Sequence, residues 1–566
     1  MKSLTGLDAT FLYLETAEMP MHVGSFNLCA LREGFKGSFH QEVTKHIAKR
    51  MHLAPVFSRK LVFMPLDLGH PLWVEADEVD ITFHIRRADP GKKGAAPMTL
   101  AEAHKLCAQL HGELIDRNFP LWEFYVFDRI KLPESMGGKI VGGFFSKVHH
   151  AALDGKGGVM LANAVLDLSP VSREVPPPDP ARPRKLESDL KLGKMIGTVF
   201  SSSVGQLLKA ARSLPSAATT FGSTLARQSM GTSATGIKAK MPMKLAPATP
   251  FNTGITTGRV FVTATVPLAE CKAMGKAVGG SFNDIVLWIC STALRNYLLQ
   301  HHTLPKKSLV AAMPVSLRAD GATDAPNLGN QVSMSLVELG THLAHPLKRM
   351  NAIMASTAKV KSSIQSLKGL LPTDYPSLLA PWLVGGVAKM ALNAYGKSGM
   401  ASRLPMVANL AISNVPGTPV PLYLAGAEFL SFHPLSIIMH GLALNITIQT
   451  YAGHVDFGII ADKRALPHAN DFARAIRVAF NEAQALLALA VPAPAAAATT
   501  SVKTRKALVP QVTKATMLEK SPSVERVRRP DTAYDFTTSK KSNASSHGKP
   551  VVKIVKQPVK KRVAST

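Results

Sequence analysis

The chain has 566 residues, of which 46% are hydrophobic, and it carries 66 Lys and Arg against 38 Asp and Glu, a formal net charge of +28. This length predicts two domains with extensions, and four scattered cysteines argue against a disulfide framework or a cysteine-based zinc site. We expect no signal peptide, because acidic residues interrupt the N-terminal apolar segment, and no transmembrane helix, because no run of about 18 uncharged apolar residues is present.

The excess positive charge is concentrated in two segments. Residues 181–250 carry 11 Lys and Arg against two acidic residues, and residues 491–566 carry 16 against four. Such segments suit an anionic membrane surface or a polyanion, or only keep an extension solvated. Nucleic acid is not an expected partner, because only Tyr534 and Phe536 in the second segment could stack on bases.

The N-terminal third predicts alternating strands and helices. Its hydrophobic periodicity indicates a strand at residues 22–28, a helix at 40–51, an amphipathic helix at 99–117 and a strand ending at Phe127. Pro120, Leu121 and Trp122 precede that last strand, and we expect a proline-anchored tryptophan to form a rigid, buried wall.

Two adjacent histidines follow the next apolar run. The run at 140–145 predicts a buried strand, His149 and His150 come at its end, and Asp154 and Gly155 lead into a helical pattern. A histidine with an ordinary pKa of about 6.5 can exchange a proton at neutral pH. Asp154 can brace the loop through an arginine or a helix cap, and Gly155 allows a tight turn. A structural turn or a metal ligand remain alternatives, although no third ligand is nearby.

The second half of the chain predicts a separate α/β unit. The expected elements are a proline-rich linker at 170–186, a basic amphipathic helix near 190–212, a strand at 259–266, a helix at 268–277, a long helix after Ser281, strands at 310–318 and 443–448, and a helix at 467–489. The basic helix suits a membrane surface or a domain interface. The apolar segment 366–400 suits an acyl tunnel, lipid contact or a buried helix.

Together these motifs resemble the bacterial wax ester synthase/diacylglycerol acyltransferase family of the CoA-dependent acyltransferase superfamily. The resemblance covers roughly residues 4–490 and rests on His-His-x3-Asp-Gly at 149–155, Pro-Leu-Trp at 120–122, Asn283-Asp284, and the N-terminal Asp-x-x-Phe-x-x-x-Glu at 8–15. The segment 113–117 departs from the Arg-Pro-Leu-Asp-Arg usual in the family, so we expect this loop to differ locally from the family pattern. His22 lacks a following Asp-Gly, and we expect it to be structural.

The resemblance implies an α/β (α+β) fold with two chloramphenicol-acetyltransferase-like domains, mixed sheets and an active-site channel between them. We place the N-terminal acyltransferase domain at 1–169, a linker at 170–256 and the C-terminal domain at 257–490. Residues 491–566 are expected to be a disordered basic tail.

The resemblance also implies the site residues. His150 would be the general base, His149 a positioning residue, and Asp154 a structural residue with Arg59 as its candidate partner. Pro120, Leu121 and Trp122 would shape the site. Asn283 and Asp284 would hold the second domain against it, apart from capping a helix, and Asn445 is a candidate oxyanion stabiliser.

The implied activity is transfer of a fatty acyl group from acyl-CoA to diacylglycerol or a long-chain alcohol, without a bound cofactor or metal. We expect a cytoplasmic protein peripherally associated with the inner face of the plasma membrane or with lipid inclusions. Two alternatives are a related acyl or condensation transferase on the same fold, and a non-catalytic protein of a lipid surface. Both histidines and Asp154 are present, which argues against the second.

Overall fold

Three β-sheets organise the part of the chain that the structure, a computed structural model, describes. That part comprises residues 2–63, 70–89, 96–153, 155–180, 245–316, 332–367, 394–396, 399 and 406–490. Its strands are β1 (Lys2–Ser3), β2 (His22–Ala30), β3 (Arg59–Val62), β4 (Leu72–Glu75), β5 (Ile85–Arg87), β6 (Met98–Thr99), β7 (Trp122–Lys131), β8 (Ile140–His149), β9 (Arg259–Pro267), β10 (Val310–Ser316), β11 (Val332–Glu338), β12 (Leu410–Val415), β13 (Tyr423–Leu424), β14 (Ala427–Phe429), β15 (His433–Leu435), β16 (Leu444–Tyr451) and β17 (His454–Asp462).

The helices of these described residues alternate with the strands. They are α1 (Gly6–Leu14), α2 (Phe39–Ala48), α3 (Ile81–His84), α4 (Leu100–Gly112), α5 (Gly155–Val165), α6 (Leu268–Ala277), α7 (Phe282–His301), α8 (Pro346–Leu367) and α9 (Ala469–Ala490). Short 3-10 helices lie at Met51–Leu53, Pro55–Phe57, Glu134–Met136 and His150–Ala152. The predicted α/β (α+β) class with mixed sheets is confirmed.

The N-terminal sheet contains eight strands and carries the double histidine. Its order is β13-β14-β2-β8-β7-β5, with β15 also paired to β2 and β6 to β7. Strands β2, β7 and β8 pair antiparallel, whereas β5 and β6 run parallel to β7. β13, β14 and β15 come from the predicted C-terminal domain, so the two halves of the chain share this sheet. The domain boundaries themselves stay a prediction.

The C-terminal sheet contains six strands in the order β11-β10-β12-β16-β17-β9. Strand β12 lies parallel to β10 and β16, and the other pairs are antiparallel. The long helix α7 packs with α9 against this sheet, and both contribute buried apolar side chains to one core. This burial explains why α7 is apolar around most of its circumference.

A second core joins the two halves on one face of the N-terminal sheet. Phe26 and Phe127 of that sheet and Cys107 of α4 are fully buried together with Phe261 of β9 and Ile460 of β17. Burial of apolar surface from both halves stabilises their association. Two further sets of buried residues pack around the N-terminal half, and one of them includes Phe429 of β14 and Tyr451 of β16.

Some predicted boundaries were wrong for tertiary reasons. Helix α4 ends at Gly112 and does not reach residue 117, because Glu113 is extended and its carbonyl oxygen accepts a hydrogen bond of 2.8 Å from His22 Nε2. Strand β7 continues past Phe127 to Lys131, where β6 adds parallel pairing. Helix α9 begins at Ala469, two residues after Pro467.

Several predictions fall on residues that the structure does not describe. The basic helix near 190–212, most of the apolar segment 366–400 and the tail 491–566 lie outside the described residues. Among the residues that are described, no single helix is long and apolar enough to cross a membrane, although the sharply bent pair α6–α7 meets the length and composition criteria together.

Candidate active site

The double histidine lies where β8 ends. His149 is the last residue of β8, His150 opens the 3-10 helix, and α5 begins at Gly155. This strand–turn–helix arrangement is the predicted one. Asp154 lies outside the described residues, so its pairing with Arg59 stays a prediction. Arg59 is half-buried in β3, where its backbone lies opposite that of Glu75 in the neighbouring strand β4.

His149 is fully buried and faces a carboxylate. Its Nδ1 accepts a 3.1 Å hydrogen bond from the backbone N–H of Ala151, so the proton of a neutral ring sits on Nε2. Nε2 lies 3.2 Å from Glu15 Oε2. Leu121 fixes the backbone, because its carbonyl oxygen accepts the N–H of His149 at 3.0 Å. Both ring nitrogens of His149 therefore face protein groups.

Glu15 anchors this side of the site. Its Oε2 also accepts the backbone N–H of Met21 at 2.9 Å, and its Oε1 accepts Arg117 Nη2 at 2.9 Å and Nε at 3.2 Å. Burial acts to raise the pKa of Glu15, but contact with His149, the Arg117 guanidinium and the Met21 N–H outweigh it and lower the pKa to about 2. The carboxylate is therefore ionised at neutral pH.

His150 is held by its backbone and by one aromatic ring. Its N–H donates to the carbonyl oxygen of Met21 at 2.8 Å, and its imidazole stacks on Phe11 with ring centroids 4.0 Å apart and planes 17° apart. Nδ1 is buried and has no hydrogen-bond partner among the described residues, and the residue as a whole is half-buried.

The protonation state of His150 follows from this environment. Burial, assisted by the nearby His149, lowers the pKa of His150 to about 4. The imidazole is therefore neutral at pH 7 and can accept a proton from a substrate hydroxyl.

One network of hydrogen bonds and contacts connects the two histidines to Glu15 and Met21. Glu15 binds the N–H of Met21 and faces His149, His149 accepts the N–H of Ala151, and the carbonyl oxygen of Met21 accepts the N–H of His150. Phe11, Glu15 and Arg117 are site residues that the sequence did not identify. A signal was present, since Phe11 and Glu15 are four residues apart, the spacing that places side chains on one side of a helix.

The Pro-Leu-Trp segment at 120–122 packs next to the double histidine through buried contacts. Leu121 and Trp122 are fully buried, and Trp122 Nε1 donates to the carbonyl oxygen of Phe57 at 3.2 Å. The indole also stacks on His84, with centroids 4.3 Å apart. Pro120 closes the turn, because its carbonyl oxygen accepts the N–H of Trp122 at 2.8 Å.

Asn283 and Asp284 bind within the C-terminal half. Asp284 completes a capping box with Ser281 at the start of α7, and its Oδ1 accepts the hydroxyl of Thr357 at 2.7 Å. Asn283 Oδ1 accepts Asn414 Nδ2 at 3.3 Å. These contacts make the pair a helix cap and a link from α7 to α8 and β12. Its role against the N-terminal site stays a prediction.

The side-chain amide of Asn445 makes hydrogen bonds within the C-terminal half. Nδ2 donates to the carbonyl oxygen of Ile437 at 2.8 Å, and Oδ1 accepts the hydroxyl of Thr447 at 2.9 Å. One of its two N–H groups is thus committed, and nothing in these contacts directs the other to His150. The oxyanion role of Asn445 stays a prediction.

A cavity of about 400 Å³ borders the Glu15–Arg117 pair and is lined by residues 15–17 and 114–118. His150 is not among its lining residues, so the predicted channel between the domains stays a prediction. Of the described side chains, no group of three metal-ligand residues includes His149 or His150.

Comparison with known proteins bears directly on this site. Residues 4–286 match the family model described as the wax ester synthase/diacylglycerol acyltransferase catalytic domain, and residues 328–484 match the C-terminal domain of the same family. The chain belongs to the wax ester synthase/diacylglycerol acyltransferase family. Its catalytic domain makes it an acyltransferase, and the predicted family is confirmed.

Individual relatives agree with this assignment. A probable diacylglycerol O-acyltransferase of Mycobacterium tuberculosis is 31% identical over 474 residues, covering 81% of this chain and 94% of the relative. The O-acyltransferase WSD of Acinetobacter baylyi is 28% identical over 479 residues, covering 82% and 93%. The solved wax ester synthase/diacylglycerol acyltransferase from Marinobacter aquaeolei VT8 is 25% identical, with a TM-score of 0.59 over 86% of this chain and 100% of that one.

Proposed function

We propose that this acyltransferase moves a fatty acyl group from acyl-CoA to a diacylglycerol or a long-chain alcohol, with His150 as the general base. The observation that carries the proposal is the neutral, half-buried imidazole of His150, held at the end of β8 by the loop that Glu15 anchors. The names of the relatives, diacylglycerol O-acyltransferase and wax ester synthase, support the two acceptor classes.

The reaction balances with one proton carrier. His150 removes the proton of the acceptor hydroxyl as the oxygen attacks the thioester carbonyl, and a new C–O bond forms. The C–S bond then breaks, and the imidazolium of His150 returns its proton to the departing sulfur to give free CoA. General base catalysis of this kind contributes about 10²–10⁴-fold, and holding both substrates together contributes more.

His149 is the less suitable base. It is fully buried, its Nδ1 is occupied by the Ala151 N–H, and its Nε2 faces Glu15. We therefore assign His149 a positioning role: the Glu15–His149 contact fixes the backbone that presents His150. The proposal gives Asp154 the role of orienting the loop before Gly155, the first residue of α5, with Arg59 as its partner, and it makes Asn445 the oxyanion donor.

We also propose that the protein works at a lipid surface, on the cytoplasmic face of the plasma membrane or on lipid inclusions. Both acceptor classes are water-insoluble, so an enzyme that uses them gains from lying on the surface that holds them. The basic segments 181–250 and 491–566 supply the charge for anionic lipid headgroups. Sedimentation with anionic and neutral vesicles tests this part, and equal recovery with both vesicle types would contradict it.

Acceptor-dependent release of CoA tests the activity. Purified protein is given palmitoyl-CoA alone, with dioleoylglycerol or with hexadecanol, and free thiol is measured together with the ester product. We expect release that depends on an acceptor and a product that identifies it. Folded protein that releases no CoA with either acceptor would contradict the proposal. Transfer only from a carrier-protein thioester would instead indicate a related condensation chemistry.

A further inference from the structure

A second cluster of chemically competent side chains lies far along the chain from the double histidine, where α7 ends and α9 begins. It consists of His301, the last residue of α7, with His468 and Asp471 at the start of α9. One ligand atom from each lies within 4.8 Å of the other two. Among the described residues this is the one group of three or more His, Cys, Asp or Glu side chains that meets this geometry.

The distances within the cluster suit a metal ion. His301 Nε2 lies 2.9 Å from Asp471 Oδ2, yet the two atoms are not aligned for a hydrogen bond. Two ligands of a tetrahedral ion, each about 2.1 Å from it, stand about 3.4 Å apart, so a shift of about half an ångström would bring this pair to that spacing. The rings of His301 and His468 stack with centroids 4.3 Å apart and planes 13° apart. An ion lies in the plane of each imidazole that binds it, so the exposed ring of His468 must rotate out of the stack before both rings can bind one ion.

The surroundings orient these ligands and leave room for solvent. Arg474 pairs with Asp471 through the other carboxylate oxygen, Oδ1, which leaves Oδ2 toward His301. Tyr297 packs beside the His301 ring, with centroids 4.9 Å apart. The side chain of His301 is 14% exposed and that of Asp471 is 22% exposed, and His468 is exposed. Water can therefore complete the coordination of an ion held by three protein ligands.

We propose that His301, His468 and Asp471 form a site for a divalent transition-metal ion, of which Zn²⁺ is the best fit. Two imidazoles and one carboxylate match the ligands preferred by Zn²⁺, whereas Mg²⁺ and Ca²⁺ prefer oxygen ligands alone. The ion joins the end of α7 to the first turn of α9, across two helices that pack on the same sheet. The proposed effect of the ion is to hold these two helices together.

Titration of the tag-free, full-length protein with Zn²⁺ tests the proposal, by calorimetry and by thermal unfolding. We expect one bound equivalent and a higher Tm with Zn²⁺, and affinity at least about tenfold weaker in both His468→Ala and Asp471→Asn. His454→Ala removes another exposed histidine of the C-terminal half and serves as the matched control. It should bind Zn²⁺ like the wild-type protein. Titration with Co²⁺, followed by its visible absorption, reports the coordination geometry.

Each other outcome overturns the site. These outcomes are the absence of Zn²⁺ binding by the wild-type protein and wild-type affinity in either ligand variant. An equal loss of affinity in His454→Ala would show that scattered surface histidines bind the ion. His468 is exposed, so we expect its replacement to leave the metal-free fold intact. A Tm of metal-free His468→Ala equal to that of metal-free wild type will show that the variant is folded.

Discussion

Replacing Glu15 with Gln removes one buried charge and keeps the shape of the side chain. Glu15 is 3% exposed and accepts from Met21 and Arg117 while facing His149. A glutamine has one oxygen where the carboxylate has two. Its NH₂ group must therefore face either the Arg117 guanidinium or the N–H groups of Met21 and His149, and a buried donor is left without an acceptor in both orientations.

The lowered pKa of Glu15 sets the size of the effect. A carboxyl group whose pKa falls from 4.5 to about 2 on folding stabilises the fold in its ionised form by about 3 kcal/mol. Because the folded-state pKa is lowered, this stabilisation is present above pH 4.5 and is lost as the pH falls toward 2. At pH 7 we expect Glu15→Gln to reduce the free energy of unfolding by about 3 kcal/mol.

Urea denaturation at pH 7 measures this loss, with Glu42→Gln as the matched control. Glu42 pairs with Lys45 on the surface, where its side chain is 44% exposed, so its replacement should cost less than about 0.5 kcal/mol. The gap between wild type and Glu15→Gln should narrow as the pH falls below 4.5. Equal small losses in both variants, or a gap that does not change with pH, would refute the assigned role of Glu15.

Three further predictions concern the site and its supports. Since burial lowers the pKa of His150 to about 4, kcat/KM for acyl transfer should stay level from pH 8 to about 5 and fall below about pH 4; an apparent pKa near 6.5 in the pH–rate profile would contradict this. Trp122→Ala should lower the free energy of unfolding, measured in urea, by about 3–5 kcal/mol, because the indole is fully buried and its removal leaves a cavity. A loss below about 1 kcal/mol would contradict this, since it would show that neighbouring side chains fill the cavity. Asp284→Ala should lower stability by about 1–2 kcal/mol, because it removes the carboxylate that accepts the Ser281 N–H and the Thr357 hydroxyl while Ser281 still caps α7; an unchanged Tm would argue against this role.

The local part of the site could be predicted from the sequence. The strand predicted at 140–145 is the first part of β8, which continues to His149. The turn at His150 and the helix from Gly155 follow from two polar residues and a glycine that come after an apolar run. The burial of Trp122 could also be predicted locally, since Pro120 restricts the backbone conformation and a large apolar side chain favours burial.

Contacts between distant segments could not be predicted in this way. Glu15 meets His149 across 134 positions, and its effect on the pKa depends on Arg117, which a third segment supplies. Strand β14 pairs with β2 across about 400 residues, so no periodicity within the C-terminal half shows that it joins the N-terminal sheet. Helix α4 ends early for a similar reason, because the hydrogen bond from His22 takes the Glu113 carbonyl oxygen.

His150 carries the proton in the proposed transfer, so the kcat of His150→Ala with palmitoyl-CoA and the preferred acceptor is the most direct measurement. We predict a fall of about 10²–10⁴-fold with a urea midpoint close to that of the wild-type protein. A variant that is folded and keeps activity within about tenfold of wild type would contradict the assignment of His150 as the general base.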